Sequence, residues 1–219
     1  MTLTILILTH NRPKLFDRCL SSIIKAYDIY LADKLIDDKI SLMIYINNDS
    51  LCLDNYNEIY NNIIDIKYSY YKDDNLGNIY KYLFNLSSGH IIYIEDDDYL
   101  SKNFFYNIDL SYDTNFLKFK LTSLLETIQV NKDFKLPSYN SHFQLSQLLF
   151  KKELITNFPD NNDLDNDWNL YIMLKQITNI HLVNKICFVQ TQDGQDNISD
   201  IRYNKDLRWP IKKKNLLQT

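Results

Sequence analysis

Four consecutive acidic residues, Glu95-Asp96-Asp97-Asp98, follow directly on the apolar run at positions 90–94. Adjacent carboxylates repel one another and are best stabilised by a cation between them. Ligands that are all oxygen favour a hard divalent ion, Mg2+ or Mn2+. Mg2+ takes one or two protein carboxylates and fills its shell with water and substrate phosphates. That arrangement suits a reaction in which a diphosphate departs. The plain alternative is a solvated acidic turn, the usual fate of a charge run. Placement favours chemistry. The run 90–94, His-Ile-Ile-Tyr-Ile, is a short apolar segment of the kind buried on both faces of a parallel sheet. Ligands of such sheets sit beyond the carboxyl ends of the strands.

Two other polar clusters stand in the same relation to a strand. The apolar run 3–8 is followed by Thr9-His10-Asn11-Arg12, and the run 41–46 by Asn47-Asn48-Asp49-Ser50. Pro13 is tolerated in a first helical turn. Leu15, Phe16, Cys19, Leu20, Ile23 and Ile24 then recur at helical spacing and predict a helix with one buried face. Further elements are predicted as a helix over 55–63, a strand over 65–71 and a helix ending at residue 86. Ser87-Ser88-Gly89 is expected to cap that helix. Strands alternating with helices imply βαβ units and a mostly parallel sheet. The three polar clusters should therefore meet at one edge of it, although they are far apart in sequence.

The second half is less regular. Helices are expected over 104–110, 151–158 and 168–177. Strands are expected over 116–121, 144–150 and 181–190. Residues 160–167 read as an acidic loop, and the polar tail from Thr191 as a flap.

The chain has 219 residues and suits one α/β domain. Its net charge of −4 carries no global nucleic-acid footprint. The one local exception is the tail, with Arg202, Arg208 and residues 212–214, which reads as a solvated terminus. Cys19, Cys52 and Cys187 have no metal-ligand spacing, and they imply reduced thiols in a cytoplasmic setting. No stretch is long and apolar enough for a membrane span. No P-loop, Gly-x-Gly-x-x-Gly or Gly-x-Ser-x-Gly is present, and the histidines form no HExxH pair.

The segments ILILTHNRPKLFDRCLSSI, IYINNDS, NLGNIYKYLFNLSSGHIIYIEDDDYL and NDWNLYIML occur in the order seen in the family 2 glycosyltransferases of the GT-A fold, which this chain resembles. The resemblance implies a GT-A-like α/β fold with a mostly parallel central sheet flanked by helices. Residues 1–100 would form a nucleotide-sugar-binding half. Residues 101–219 would form a less regular acceptor-side half of the same domain.

The resemblance also implies roles. Thr9, His10, Asn11 and Arg12 would line the nucleotide pocket. Asn47 stands where the family usually has an Asp that reads the base, and Asp49 could compensate; uridine is the expected base. Asn75, Gly77 and Lys81 match the donor loop, with Lys81 towards the diphosphate. In the acidic motif, Asp97 is the expected metal carboxylate. Glu95 or Asp96 would face the ribose, and Asp98 would be a second metal or orienting group. The register of the motif on the metal stays open.

Asp167 falls on the family's late acidic motif, with Asn166 where a Glu is usual. Its implied role is general base towards an acceptor hydroxyl, with Asp163 and Asp165 as substitutes. The alternative is a carboxylate stabilised by the helix N-terminus. Trp168 would be a sugar platform or a core anchor. Arg208 and Trp209, in a faint Gln-x-x-Arg-Trp-like element, would touch acceptor or donor. The function so implied is Mn2+- or Mg2+-dependent, inverting transfer from a nucleotide-sugar, with a UDP-sugar the expected donor. The acceptor could be a glycan, a protein, a small molecule or a modified nucleic acid. The competing readings are a nucleotidyltransferase using a nucleoside triphosphate and a degenerate module that binds nucleotide-sugar without turning it over.

Overall fold

The computed structural model describes residues 1–9, 12–33, 39–48, 64–73, 76–122, 127–128, 134–138, 144–156, 158 and 166–191. Strand β1 (Thr2–Thr9) buries residues 3–7 completely enough to need cover on both faces. Helix α1 (Pro13–Ala32) supplies one of those covers. Its first backbone bond runs from Phe16 N–H to Arg12 O, 3.0 Å. Proline in the opening turn forgoes an N–H that has no helical partner. Phe16, Cys19, Leu20, Ile23, Tyr27 and Tyr30 form its buried stripe, at the spacing expected of an amphipathic helix.

The chain continues through β2 (Ser41–Asn48), β3 (Asp65–Ser69), α2 (Leu76–Leu86), β4 (His90–Glu95), β5 (Tyr99–Leu100) and α3 (Phe104–Asn107). Then come β6 (Thr114–Thr122), β7 (Thr127–Ile128), β8 (Leu148–Lys151), α4 (Asn166–Ile177) and β9 (Ile180–Thr191). All strands share one sheet in the order β3-β2-β1-β4-β8-β6-β9-β5, with β7 on β6. β3, β2, β1 and β4 run parallel. The sheet then becomes mixed: β8 is antiparallel to β4 and β6, while β6 and β9 are parallel.

Register decides what lines up at the carboxyl edge. Leu8 pairs with both Asn47 and Glu95, and Thr9 pairs with Asn48. The described residues that open the three clusters, Thr9, Asn47 and Glu95, therefore lie side by side, as expected from the sequence.

The sheet must also curl. β4 and β5 lie four strand spacings apart in the order, roughly 19 Å if the sheet were flat. Four residue steps from Glu95 to Tyr99 reach only roughly 14 Å. The acidic turn thus draws the end of β9, which pairs with β5 through Tyr99 and Val189, round towards the end of β4.

Several expected elements differ. The helix at 104 stops at Asn107, because Ile108 is already extended (φ −78°, ψ 151°). The strand expected from 144 begins at Leu148, after a 3₁₀ turn, Leu145–Gln147. Gln144 and Gln147 cap that turn reciprocally, which favours turn over strand. In place of a helix over 151–158 there is one 3₁₀ turn, Lys152–Leu154, because Lys151 is still paired with His90 in the sheet. The helix expected over 55–63, Cys52 and residues 192–219 lie outside the described residues, and Thr191, expected to open a polar flap, is instead the buried last residue of β9. No helix among the described residues is long and apolar enough to cross a membrane.

The glycine expected to cap α2 acts later. The last turn is closed by Ser87, whose N–H and hydroxyl donate to Phe84 O at 3.2 and 2.6 Å. Gly89 instead turns the chain into β4 at φ 67°, and a Cβ there would sit 2.6 Å from Thr2 O. Left-handed backbone and a backbone clash act together. Gly89→Ala is expected to cost about 2 kcal/mol or more, a range typical of strain at such positions. Equilibrium urea unfolding checks this: an unchanged midpoint would contradict the described approach of β1 and the 87–89 turn.

Candidate functional site

The acidic turn is held from one side by α1. Ser22 Oγ accepts Leu100 N–H at 2.9 Å, and Cys19 Sγ contacts Glu95 O at 3.6 Å. Arg12 and Arg18 reach the turn from the same helix end. Arg12 Nε donates to Asp96 Oδ2 at 3.2 Å, and its Nη2 donates to Asp96 Oδ1. Its Nη1 donates to Asp97 Oδ2 at 3.2 Å. Arg18 Nη2 donates to Asp97 O and to Thr191 Oγ1, the latter at 2.9 Å. The Arg18 guanidinium also lies 5.4 Å from the Tyr99 ring centre.

The end of β9 closes the turn from the other side. Thr191 Oγ1 donates to Asp97 O at 2.6 Å, and Thr191 N–H donates to Asp98 Oδ1 at 3.2 Å. The turn itself is closed by Asp98 N–H to Glu95 O, 3.1 Å. The solvated-turn alternative fails here: Asp96, Asp97 and Asp98 are 0, 5 and 1% exposed. Much of the neutralisation the sequence assigned to a metal comes from two arginines.

The four carboxyls are not equivalent. Burial pushes Asp96 up to about 6, while Arg12 and the Thr9 hydroxyl pull it down. Burial, then the charges of Glu95 and Asp97, raise Asp98 well above the carboxylate range. Glu95 is open to solvent at the mouth, yet the surrounding protein strips water from it. That desolvation, followed by the charges of Asp97 and Asp167, moves Glu95 up to about 8.

Asp167 lies in the first turn of α4. Its Oδ2 accepts Leu145 N–H at 3.2 Å. The 3₁₀ turn capped by Gln144 and Gln147 aims that N–H. Desolvation raises Asp167 to about 6, against the lowering effect of the Leu145 bond. Its charge is felt at Glu95 and at the Tyr93 hydroxyl. A recess beside Glu95 is lined by Leu6, Leu8, Tyr80, Tyr93, Leu145 and Ser146. Glu95 lines this recess, and Asp167 approaches it through its bond to Leu145.

Two expected roles are altered by these contacts. Asp96 cannot face a ribose, because it is wholly buried and both its oxygens are taken by Arg12. The Asn47 carboxamide is buried and engaged inside the sheet edge rather than turned to a base. Its Oδ1 accepts Tyr71 N–H and Ser69 Oγ–H, each at 2.9 Å, and its Nδ2 donates to Tyr71 O at 2.8 Å. Asn47 therefore pins the exit of β3. Asp98 is turned inward towards Thr191, as an orienting group would be.

Thr9 is buried and bonded to Asp96. Gly77 is buried in the first turn of α2, and Lys81 is half-buried one turn later. Trp168 is half-buried, packed against the cluster containing Tyr93 and Leu145, with its ring centre 5.3 Å from that of Tyr171. That contact fits the core-anchor alternative. His10, Asn11, Asp49, Asn75, Asp163, Asp165, Arg208 and Trp209 lie outside the described residues. Arg18 and Thr191 were missed by the sequence reading. Arg18 carried a faint signal, a cation beside the buried stripe of α1; Thr191 carried none.

Among the described residues no three His, Cys, Asp or Glu side chains gather to hold a metal ion. A Mg2+- or Mn2+-diphosphate needs only one or two. Asp97 Oδ1 and Asp98 Oδ2 are buried and accept no hydrogen bond. A buried carboxylate oxygen without a partner is costly, and a hard cation would satisfy it. The donor set fits such an ion.

No sequence-family profile matches this chain, and no curated protein matches it in sequence. Solved structures match its fold. TarS residues 1–349 of S. aureus superposes with a TM-score of 0.64 at 16% identity, over 87% of this chain and 60% of that one. The same TarS region in complex with UDP-GlcNAc gives 0.63 at 15% identity, over 91% and 61%. The mannosyltransferase PcManGT from Pyrobaculum calidifontis, in complex with GDP-Man and Mn2+, gives 0.57 at 11% identity, over 86% and 56%. The fold is the glycosyltransferase GT-A fold. The chain spans about three fifths of the length of the TarS 1–349 chains it matches.

Proposed function

We propose that this protein transfers a sugar from a nucleotide-sugar to an acceptor hydroxyl, with inversion and with a divalent cation on the donor diphosphate. The observation that supports the reading is that Glu95, lining a recess at the carboxyl edge of the sheet, feels the charges of both Asp97 and Asp167, and that Asp167 accepts the N–H of Leu145 in the same lining. The neighbours with this fold were solved with UDP-GlcNAc and with GDP-Man and Mn2+, which supports a nucleotide-sugar donor. A UDP-sugar is the first choice.

Asp97 would hold the cation through Oδ1. A cation there would offset the charge that develops on a departing diphosphate. Glu95, at the open mouth, would face the ribose in place of the buried Asp96. Asp98 would hold the turn in register through Thr191. Asp167 would accept the proton of the attacking hydroxyl, its Oδ2 fixed by Leu145 N–H. Thr9 would support the site through its bond to Asp96, while His10, Asn11, Gly77 and Lys81 would line the donor side, as the sequence resemblance implies. The acceptor stays a glycan, a protein, a small molecule or a modified nucleic acid.

The test is release of nucleoside diphosphate across a panel of nucleotide-sugars with Mn2+ or Mg2+. One or a few donors should be turned over, and faster with an acceptor mixture. A chain stabilised against heat by nucleoside triphosphates and by no nucleotide-sugar would be a nucleotidyltransferase instead. Stabilisation by a donor that is never consumed would mark a degenerate binding module.

A further inference from the structure

Arg12 occupies the position where a metal on the acidic turn would be felt most. Its side chain is 10% exposed and grips two carboxylates at once. Two of its nitrogens hold Asp96, while Nη1 reaches Asp97 Oδ2 at 3.2 Å. The other Asp97 oxygen, Oδ1, is buried and unpartnered. One carboxylate thus has a guanidinium on one oxygen and no hydrogen-bond partner on the other.

We infer that Arg12 is a built-in counter-cation that competes with the divalent ion for Asp97, so that the metal is held firmly only together with a diphosphate. This rests on the metal-assisted reading above and adds the order of events at that site. With no ligand bound, the guanidinium offsets the repulsion among residues 95–98, and the turn keeps its shape without metal. A divalent ion arriving alone at Oδ1 meets a fixed positive charge across the same carboxylate, and like charges at such range in a low-dielectric site repel strongly. A diphosphate brings negative charge that screens the two cations from each other, and its oxygens match the planar donors of arginine. Arg12 Nη1 then has an alternative acceptor and can release Asp97. Asp96 stays paired through Nε and Nη2, so the side chain pivots without exposing a buried, unpaired carboxylate.

The experiment measures Mn2+ binding without nucleotide, from the loss of the free Mn2+ paramagnetic resonance signal. It uses the full chain, Arg12→Gln and Asp97→Asn. Gln keeps a donor for Asp96 and removes the charge. Wild type should bind weakly and Asp97→Asn not at all. Arg12→Gln should bind about fivefold or more tightly, the direction set by removing a like charge. Equal or weaker binding by a folded Arg12→Gln overturns the inference alone, provided Asp97→Asn still abolishes binding. No Mn2+ binding by wild type or Arg12→Gln, with or without UDP, overturns the metal reading as well.

A second measurement uses wild type and is independent of whether Arg12→Gln folds. The arginine side-chain 15N resonances are followed as Mg2+ is added, with Arg12 assigned from its loss in Arg12→Lys. Mg2+ with UDP should shift the Nη1 resonance and speed rotation of that amino group, whereas Mg2+ alone should do so only at much higher concentration. A resonance indifferent to Mg2+ and UDP, or moved equally by Mg2+ alone, contradicts the competition.

Discussion

Asp97→Asn is expected to reduce sugar transfer by about 10³-fold, the scale of losing a group that stabilises leaving-group charge. The fold should survive. The turn is fixed through the main chain of Asp97, whose carbonyl accepts from Arg18 and Thr191 whatever its side chain carries. Asn also retains an oxygen for Arg12 Nη1. The measurement pairs turnover of the best donor with a thermal melt and with Mn2+ binding. Lost transfer with an unchanged melt and lost Mn2+ binding is the expected pattern. Full activity of Asp97→Asn in the presence of EDTA would remove the metal from the mechanism. Asp98→Asn should behave differently: its Oδ1 serves Thr191 N–H, which an amide oxygen can also do, so Mn2+ binding should weaken less than in Asp97→Asn.

Asp167→Asn is expected to lower kcat by about 10²- to 10⁴-fold, the usual share of a positioned general base. Donor KM should stay close to that of the native chain, because Asp167 would touch the acceptor and not the nucleotide. Asn keeps an acceptor for Leu145 N–H, so the first turn of α4 retains its anchor. A base must be ionised to act. Desolvation raises Asp167 to about 6, so kcat should rise with pH through an acidic limb near that value. The limb should vanish from the residual activity of the variant. An unchanged kcat with a limb that persists would assign the proton transfer elsewhere.

The same shift has a consequence for stability, opposite in sign to that of a salt-bridged carboxylate. A folded-state pKa above the unfolded one means that the folded chain holds its proton more tightly. The contribution is fully present below the unfolded value of about 4. It is lost as pH rises through about 6. At pH 8 the ionised Asp167 therefore burdens the fold, and Asp167→Asn should melt at a higher temperature than the native chain. At pH 4 the two should melt alike. Thermal melts at both pH values check this, and a variant less stable at pH 8 would show that the Leu145 bond outweighs desolvation.

The sequence alone determined what depends on local pattern. Apolar runs ending in polar clusters placed β1, β2 and β4 and predicted that their ends would meet. The helical stripe from Leu15 to Ile24 placed α1. The acidic run after β4 and Asp167 were both marked as candidates, and the charge of Asp167 is felt at Glu95. These features are carried by neighbours in the chain, where strand and helix periodicity leave their imprint.

What only the tertiary structure decided is how each polar group is used once they converge. Asn47 reads locally like a ligand-facing residue, yet its carboxamide closes β3 through Ser69 and Tyr71. Asp96 and Asp97 are adjacent and alike in type; the turn sends Asp96 into a grip by Arg12 and leaves Asp97 with an unpartnered oxygen. Thr191, 94 positions beyond Asp97, holds that residue's carbonyl, because a short turn from β4 to β5 curls the sheet. The 144–147 segment exchanged strand for a capped turn, and that turn aims an N–H at Asp167. Such assignments follow from which groups burial leaves within hydrogen-bond reach of one another. Periodicity fixes the face on which a residue lies, but its partner is set by elements brought together from distant parts of the chain.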